Sequence, residues 1–355
     1  MGELNPRQRA LAVAERRRPA VMASVFKATP EVDRLVCDHF GAAEPEELIP
    51  ILGLCHLHWP WRHVRPRGLE DVRREGALQF DVWGVGRKEV SYGAGTYWEF
   101  VHHPLAGART VADVERHAWP SADGLDFSNV LEECRRHADT ALSITEWSVF
   151  ETAWQIRGPE QFLMDLADDE PMARAVIERV EQFRREVVER LWELAGPHFQ
   201  FFGLTDDLGS QHGLLMSPRT WDRFFTAGFR WACDFAHRRG LKTWLHCDGA
   251  VRPLIPRFIQ AGLDILDPLM PAIEEMNPYS IARQFGRDLC FHGTIDVQRL
   301  VPFGSERQVR DEVRRQLDEL WPAANLYMAP SHCFQPGTPL RNILAVYDEL
   351  ARAGG

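Results

Sequence analysis

From Thr140 onward, short apolar runs alternate with amphipathic segments, and this alternation restricts the possible folds more than any other feature of the chain. Six runs read as strands: residues 141–145, 199–203, 242–246, 263–266, 289–292 and 325–329. Between them lie helical patterns. The clearest spans about Glu170 to Ala195, where Met172, Val176, Val180, Phe183, Val187, Leu191 and Leu194 recur at steps of three and four before Gly196 ends the run. The Arg and Glu residues of this segment fill its opposite face, as on any solvated amphipathic helix. Strand–helix alternation at this spacing implies a parallel sheet. With one or two further strands hidden upstream, the count fits a (β/α)8 TIM barrel. An open doubly wound sheet is the competing architecture, but no Gly-x-Gly-x-x-Gly follows any of the runs.

The first third reads differently. Asn5-Pro-Arg-Gln-Arg begins with a capping residue and a proline at the first helical position, which predicts an opening helix to about Arg16. Residues 19–120 are irregular, with Trp and His clustered at His56, His58, Trp59, Trp61 and His63, and hairpin-like pieces around Asp81-Val-Trp-Gly and Ser91-Tyr-Gly-Ala-Gly-Thr-Tyr. We read 1–139 as an irregular N-terminal elaboration packed on the barrel and 140–355 as the barrel's main part, one domain overall.

Composition excludes several function classes. A formal charge of −10 without basic tracts leaves no footprint for nucleic acid or an anionic membrane. No stretch reaches the roughly 20 apolar residues that span a bilayer, and Met1 to Arg18 carries both signs of charge, unlike a signal peptide. A cytoplasmic location is expected. Seven cysteines, none in a CxxC pair, argue against a disulfide framework.

A barrel of this kind places its active site at the C-terminal strand ends. The six runs end, in order, in Glu146; Asp206 and Asp207, with His212 close behind; His246 and Asp248; Asp267; His292; and Ser331-His332-Cys333. Individually, bland readings exist. Asp267 and Asp206 suit helix N-caps, His292 a hydrogen-bonded core imidazole, His212 a surface loop and Cys333 a buried thiol. Taken together, capping does not explain six consecutive strand ends in Asp, Glu or His, because buried ionisable groups need partners or a function. Strand alternation puts His246 and Asp248 on one face and Cys247 on the other. With His332 they can supply three nitrogen and oxygen ligands to a divalent ion that keeps an open position, the arrangement of catalytic zinc. Acid–base chemistry without metal is the alternative.

Longer stretches carry a family likeness: Asp81-Val-Trp-Gly, His103-Pro-Leu-Ala-Gly, Gly203-Leu-Thr-Asp-Asp-Leu-Gly, His246-Cys-Asp-Gly, Ala261-Gly-Leu-Asp-Ile-Leu-Asp-Pro, Phe291-His-Gly-Thr-Ile-Asp and Ala329-Pro-Ser-His-Cys-Phe-Gln-Pro-Gly-Thr-Pro. In these the chain resembles the uroporphyrinogen decarboxylase superfamily, and within it the corrinoid-dependent methyltransferase-like branch. The resemblance implies a (β/α)8 barrel with a cleft at its strand ends, and it is compatible with a homodimer. True uroporphyrinogen decarboxylases carry an N-terminal Arg-Gln-Ala-Gly-Arg segment and a Pro-Trp-Thr-Leu turn. Here the former is absent, and Ile144-Thr-Glu-Trp-Ser-Val-Phe stands at the latter.

The methyltransferase branch holds zinc by His-x-Cys and a later Cys, and the zinc activates the thiol of coenzyme M or a related acceptor. Mapped by position, His246 matches the His, Asp248 stands at the first Cys and His332 at the second. Cys247 and Cys333 are each one place off. A carboxylate and an imidazole in place of two thiolates harden the site, which still suits zinc and admits other divalent ions. The expectation is a methyltransferase exchanging methyl groups with a separate corrinoid protein. Glu146, Asp206, Asp207 and His292 line the cleft in this reading as orienting or proton-transfer groups. The alternatives are a carboxy-lyase acting on uroporphyrinogen or a related acid, and a non-catalytic module that carries a corrinoid or tetrapyrrole.

Overall fold

The computed structural model describes residues 4–55, 57–66, 73–91, 93 and 95–353, with all side chains among them but those of Arg73, Glu146 and Trp147. Seven parallel strands form its central sheet, in the order Leu57–His58, Ala141–Trp147, Phe201–Thr205, Lys242–His246, Ile265–Asp267, Cys290–His292 and Leu326–Tyr327. Spatial order follows chain order, and each crossover carries helix, as parallel pairing requires. Six of the strands are those expected. The run expected at 199–203 pairs two residues later, at Phe201–Thr205, because Gln200 turns inward to accept a bond from the Leu142 amide.

One strand comes from the early region. Leu57 and His58 pair with Ala141 and Leu142, so the sheet crosses the 139/140 division drawn from sequence. The same region supplies another segment beside the sheet. The Met328 amide donates to Ala23, the Val25 amide to Met328 and the Cys55 amide to Ser24. Residues 23–25 therefore touch the last strand on one side and the approach to the first on the other.

Inside the curve of the sheet, Ala23, Cys55, Leu57, Ala141, Phe201, Trp244, Ile265, Cys290 and Tyr327 form an apolar layer separate from the main core. The opening helix, Pro6–Ala14, closes the layer from below. Its start is fixed by a reciprocal cap: Gln8 donates its amide to the Asn5 side chain, and Asn5 donates its amide to the Gln8 side chain. Ala10 and Val13 pack into the layer, the Tyr327 hydroxyl donates to the Ala10 carbonyl at 2.5 Å, and the Cys290 thiol donates to that of Val13 at 3.3 Å.

Outside the sheet, the 26-residue helix Glu170–Ala195 buries Met172, Val176, Val180, Phe183, Val187 and Leu191. The two hairpin-like stretches adjoin strands of one four-stranded antiparallel sheet, Arg73–Glu75, Leu78–Phe80, Gly86–Ser91 and Thr96–His102; Tyr92 and Ala94 of the second stretch lie outside the described residues. No helix among the described residues is long and apolar enough to cross a membrane.

Candidate active site

Above the apolar layer, at the C-terminal strand ends, lies a cavity of about 560 Å3. Trp244, His246, Asp267 and His292 form one wall; Lys27, Trp59 and Arg62, from the first third of the chain, form the other. Asp267 organises the strand-end side. One carboxylate oxygen accepts from His246 Nδ1 at 2.7 Å and from the Trp244 indole at 3.4 Å, and the other from His292 Nδ1 at 2.5 Å. Burial works against the Asp267 charge, yet the two imidazoles hold its carboxyl well below the usual range. The capping role expected of this residue is therefore replaced. Asp267 stops at a strand end where two histidines from neighbouring strands converge, and it satisfies both.

Because Nδ1 of His246 is committed to Asp267, Nε2 is turned outward. It lies 4.0 Å from an Asp248 oxygen, and His332 Nε2 lies 3.5 Å from the same oxygen. One donor atom from each of His246, Asp248 and His332 falls within 4.8 Å of the others. Both separations exceed hydrogen-bond length. The second Asp248 oxygen is buried and has no hydrogen-bond partner among the described residues. Burial, Lys27 and His246 push the His332 imidazole down to about 4, leaving it neutral with a lone pair to give. Burial, against the pull of His246, raises the Asp248 carboxyl to about 6. Burial works against the charged form of the His246 imidazole, but Asp267 holds its pKa above the usual value, so an ion there would displace the Nε2 proton. Two imidazoles and one carboxylate, with an unsatisfied buried oxygen, fit a divalent ion with an open position.

The placement of Asp248 depends on close backbone packing. Gly249 has φ +89°, and an added Cβ would lie 2.4 Å from the Gly209 carbonyl carbon, so the two loops approach glycine to glycine. Asp207 accepts from the Asp248 amide at 2.9 Å, and the Ala250 amide donates to Ser210. Asp248 and His332 face an outer cleft of about 440 Å3, also lined by Gln211 and Gln335. Cys333 borders both cleft and cavity. The three donors thus stand where two spaces meet. Cys247, as strand alternation requires, points away and is fully buried; the Leu208 amide donates to its sulfur.

The remaining expected residues separate. His292 is buried and lines the cavity. Asp207 braces Asp248. Asp206 is a cap, not a cleft group: it accepts from the Ser148 hydroxyl and from the amides of Val149 and Glu151, at the start of the helix Phe150–Arg157. Burial raises the Asp206 carboxyl to about 6, against the pull of the Ser148 hydroxyl and these amides. His212 is exposed on the turn joining Gly209–Ser210 to Gly213–Leu214. The Glu146 side chain lies outside the described residues.

Glu151 carries a perturbed carboxyl that its sequence context does not signal. Burial, with Asp206 and Asp207 nearby, raises its carboxyl to about 8. It stands in the first turn of a helix, where an acidic residue carries no distinctive signal.

The chain belongs to the uroporphyrinogen decarboxylase (URO-D) family: residues 100–352 match the family. Among characterised relatives it is similar to the methylated-thiol–coenzyme M methyltransferase of Methanosarcina mazei, with 23% identity over 335 residues that cover 87% of this chain and 83% of the relative. A solved structure of a methyltransferase from Methanosarcina mazei shares the fold with a TM-score of 0.64 at 17% identity, over 99% of both chains.

Proposed function

We propose that this protein is a methyltransferase that exchanges a methyl group between a small molecule and a corrinoid carried by a separate protein, with zinc or another divalent ion on His246, Asp248 and His332. The observation that carries the reading is the convergence of those three side chains at the junction of the cavity and the outer cleft. Methyl transfer is an in-line displacement: the bond to the acceptor forms as the bond to the donor breaks, and the donor keeps that electron pair. Donor and acceptor must reach the carbon from opposite sides. Two spaces meeting at one ligand cluster meet that need. A bound divalent ion would supply Lewis acidity that lowers the pKa of a thiol, hydroxyl or amine.

The protein side chains supply orientation. Asp267 fixes the ring of His246 and its tautomer, and Asp207 holds the Asp248 backbone. His292, tied through Nδ1, offers its other ring nitrogen to the cavity as a hydrogen-bonding or proton-transfer group. Glu146 is the penultimate residue of the strand Ala141–Trp147 on the same rim. Methylated thiols, the substrate class in the name of the Methanosarcina mazei relative, are the first compounds to try, and the harder ligand set extends the range to methoxy and methylamine compounds. We also read the sheet as a complete (β/α)8 barrel, with residues 23–28 as the eighth stave; the bonds of that segment to Met328 and Cys55 support this.

The test is methyl transfer from free methylcobalamin to a thiol acceptor by zinc-loaded protein, followed by the visible spectrum of the corrinoid. Wild type accelerates the transfer, and His332→Ala reduces it at least a hundredfold. Release of carbon dioxide from uroporphyrinogen, with no methyl transfer, would contradict the proposal.

A further inference from the structure

A second group of imidazole and carboxylate side chains stands on the outside of the sheet, away from the strand-end cluster. Leu57 points into the cavity, so its neighbour His58 points outward, against the helix Val130–Arg136. There the carboxylate of Glu133, only 6% exposed, faces three imidazoles through one oxygen. Oε2 lies 3.8 Å from His58 Nε2, 3.4 Å from His63 Nε2 and 3.6 Å from His137 Nε2. Oε1 is taken by Arg136 at 2.8 Å. His137 also stacks on His58, with ring centroids 3.7 Å apart.

A hydrogen bond from an imidazole to a carboxylate closes to about 2.7–3.2 Å. Here three imidazoles surround one oxygen and all stand beyond that distance. Ligands about 2.0–2.1 Å from a tetrahedral zinc ion are about 3.3–3.4 Å from one another, an edge set by the bond length and the tetrahedral angle. The 3.4 Å and 3.8 Å spacings of His63 and His58 lie at or just beyond that edge, and one donor atom from each of His58, His63 and Glu133 falls within 4.8 Å of the others.

We propose that His58, His63 and Glu133 form a second divalent-cation site, of the nitrogen–oxygen type that suits zinc, with its fourth position toward His137 and solvent. The His63 side chain is 40% exposed, which gives an ion a way in. The site has a consequence for the cavity. His58 and His63 bracket a short segment, and the residues between them include Trp59 and Arg62, which line the cavity wall, with the Arg62 guanidinium over the Trp59 ring. An ion on the two histidines would fasten this segment at both ends to the helix that carries Glu133. Trp59 and Arg62 would then be held in place from the far side of the sheet.

The test uses the full chain carrying His246→Ala and His332→Ala, so that the strand-end cluster cannot contribute. Zinc is titrated into this protein by calorimetry after exhaustive chelation. About one zinc ion per chain is expected to bind, and adding His63→Ala should weaken binding at least tenfold. Because His63 is partly exposed, its removal leaves the buried packing intact; Glu133→Gln provides an independent second variant, with circular dichroism confirming the fold of each. Cobalt in place of zinc should give a visible spectrum that His63→Ala changes, since one nitrogen ligand is lost. Failure of the triad-disabled protein to bind zinc would overturn the proposal, as would binding that neither His63→Ala nor Glu133→Gln changes.

Discussion

Asp267 is the residue on which the candidate site turns. It accepts from both His246 and His292, so its loss would free one imidazole of the proposed ligand cluster and one that lines the cavity. Asp267→Asn keeps the shape but presents an amide hydrogen to one of the two rings. Partners of this kind to metal-bound histidines are worth roughly 10–100-fold in metal affinity. Asp267→Asn should therefore weaken zinc binding at the strand-end cluster by that factor, read by competition with a chromophoric chelator; unchanged affinity would remove Asp267 from the account. Glu151 makes a separate prediction. Its folded carboxyl is raised from 4.5 to about 8, so between those values the folded chain holds a proton that the unfolded chain has lost. Stability contributed by this position falls as pH rises through that window, and the cost is fully present above about pH 8. Glu151→Gln should accordingly raise the melting temperature relative to wild type at pH 8.5 and leave it unchanged near pH 4. An equal difference at both pH values would contradict the assignment.

At the scale of elements, two loops are made to meet. Gly209 and Gly249 let the loops after the Phe201–Thr205 and Lys242–His246 strands pack backbone to backbone, and Asp248 is delivered to the ligand cluster by that contact. Gly249→Ala would force a side chain into a left-handed conformation and against the Gly209 carbonyl carbon. A cost of about 1–3 kcal/mol follows from the conformation alone. Calorimetry should show a lower melting temperature, and zinc affinity should fall with it; a variant with wild-type values of both would show that the contact does not position Asp248. The same elements mark what the sequence reveals and what it hides. Glu170–Ala195 is legible from its period and the glycine that follows it, although Leu194, expected on the apolar face, is exposed; Lys242–His246 is legible as a short apolar run before Gly249. Leu57–His58 is too short to show any period, and its parallel partner is more than eighty residues away. His246, Asp248 and His332 were recognisable as strand-end residues. The role of Asp267 was not, because a carboxylate that bridges two histidines and one that caps a helix look the same in one dimension.

For the molecule as a whole, the division of labour runs along the curve of the sheet. The opening helix closes one end, an apolar layer fills the middle, and the titratable groups gather at the other end. Tyr327 joins the first two by donating to the Ala10 carbonyl across most of the chain's length. Tyr327→Phe should destabilise the protein by about 0.5–1.5 kcal/mol in urea unfolding while leaving zinc affinity unchanged. A loss of zinc affinity would mean that the two ends are not independent. The early region, read from sequence as an elaboration, in fact supplies a strand, the closing helix and one wall of the cavity. The proposal of methyl transfer rests on the three side chains where cavity and cleft meet, and one measurement bears on it most directly: metal content and methyl-transfer rate determined together for wild type and for Asp248→Ala. The variant is expected to hold one divalent ion fewer per chain and to lose methyl transfer in parallel. A variant that keeps its full complement of ions, or transfers methyl groups without the lost one, would contradict the proposal.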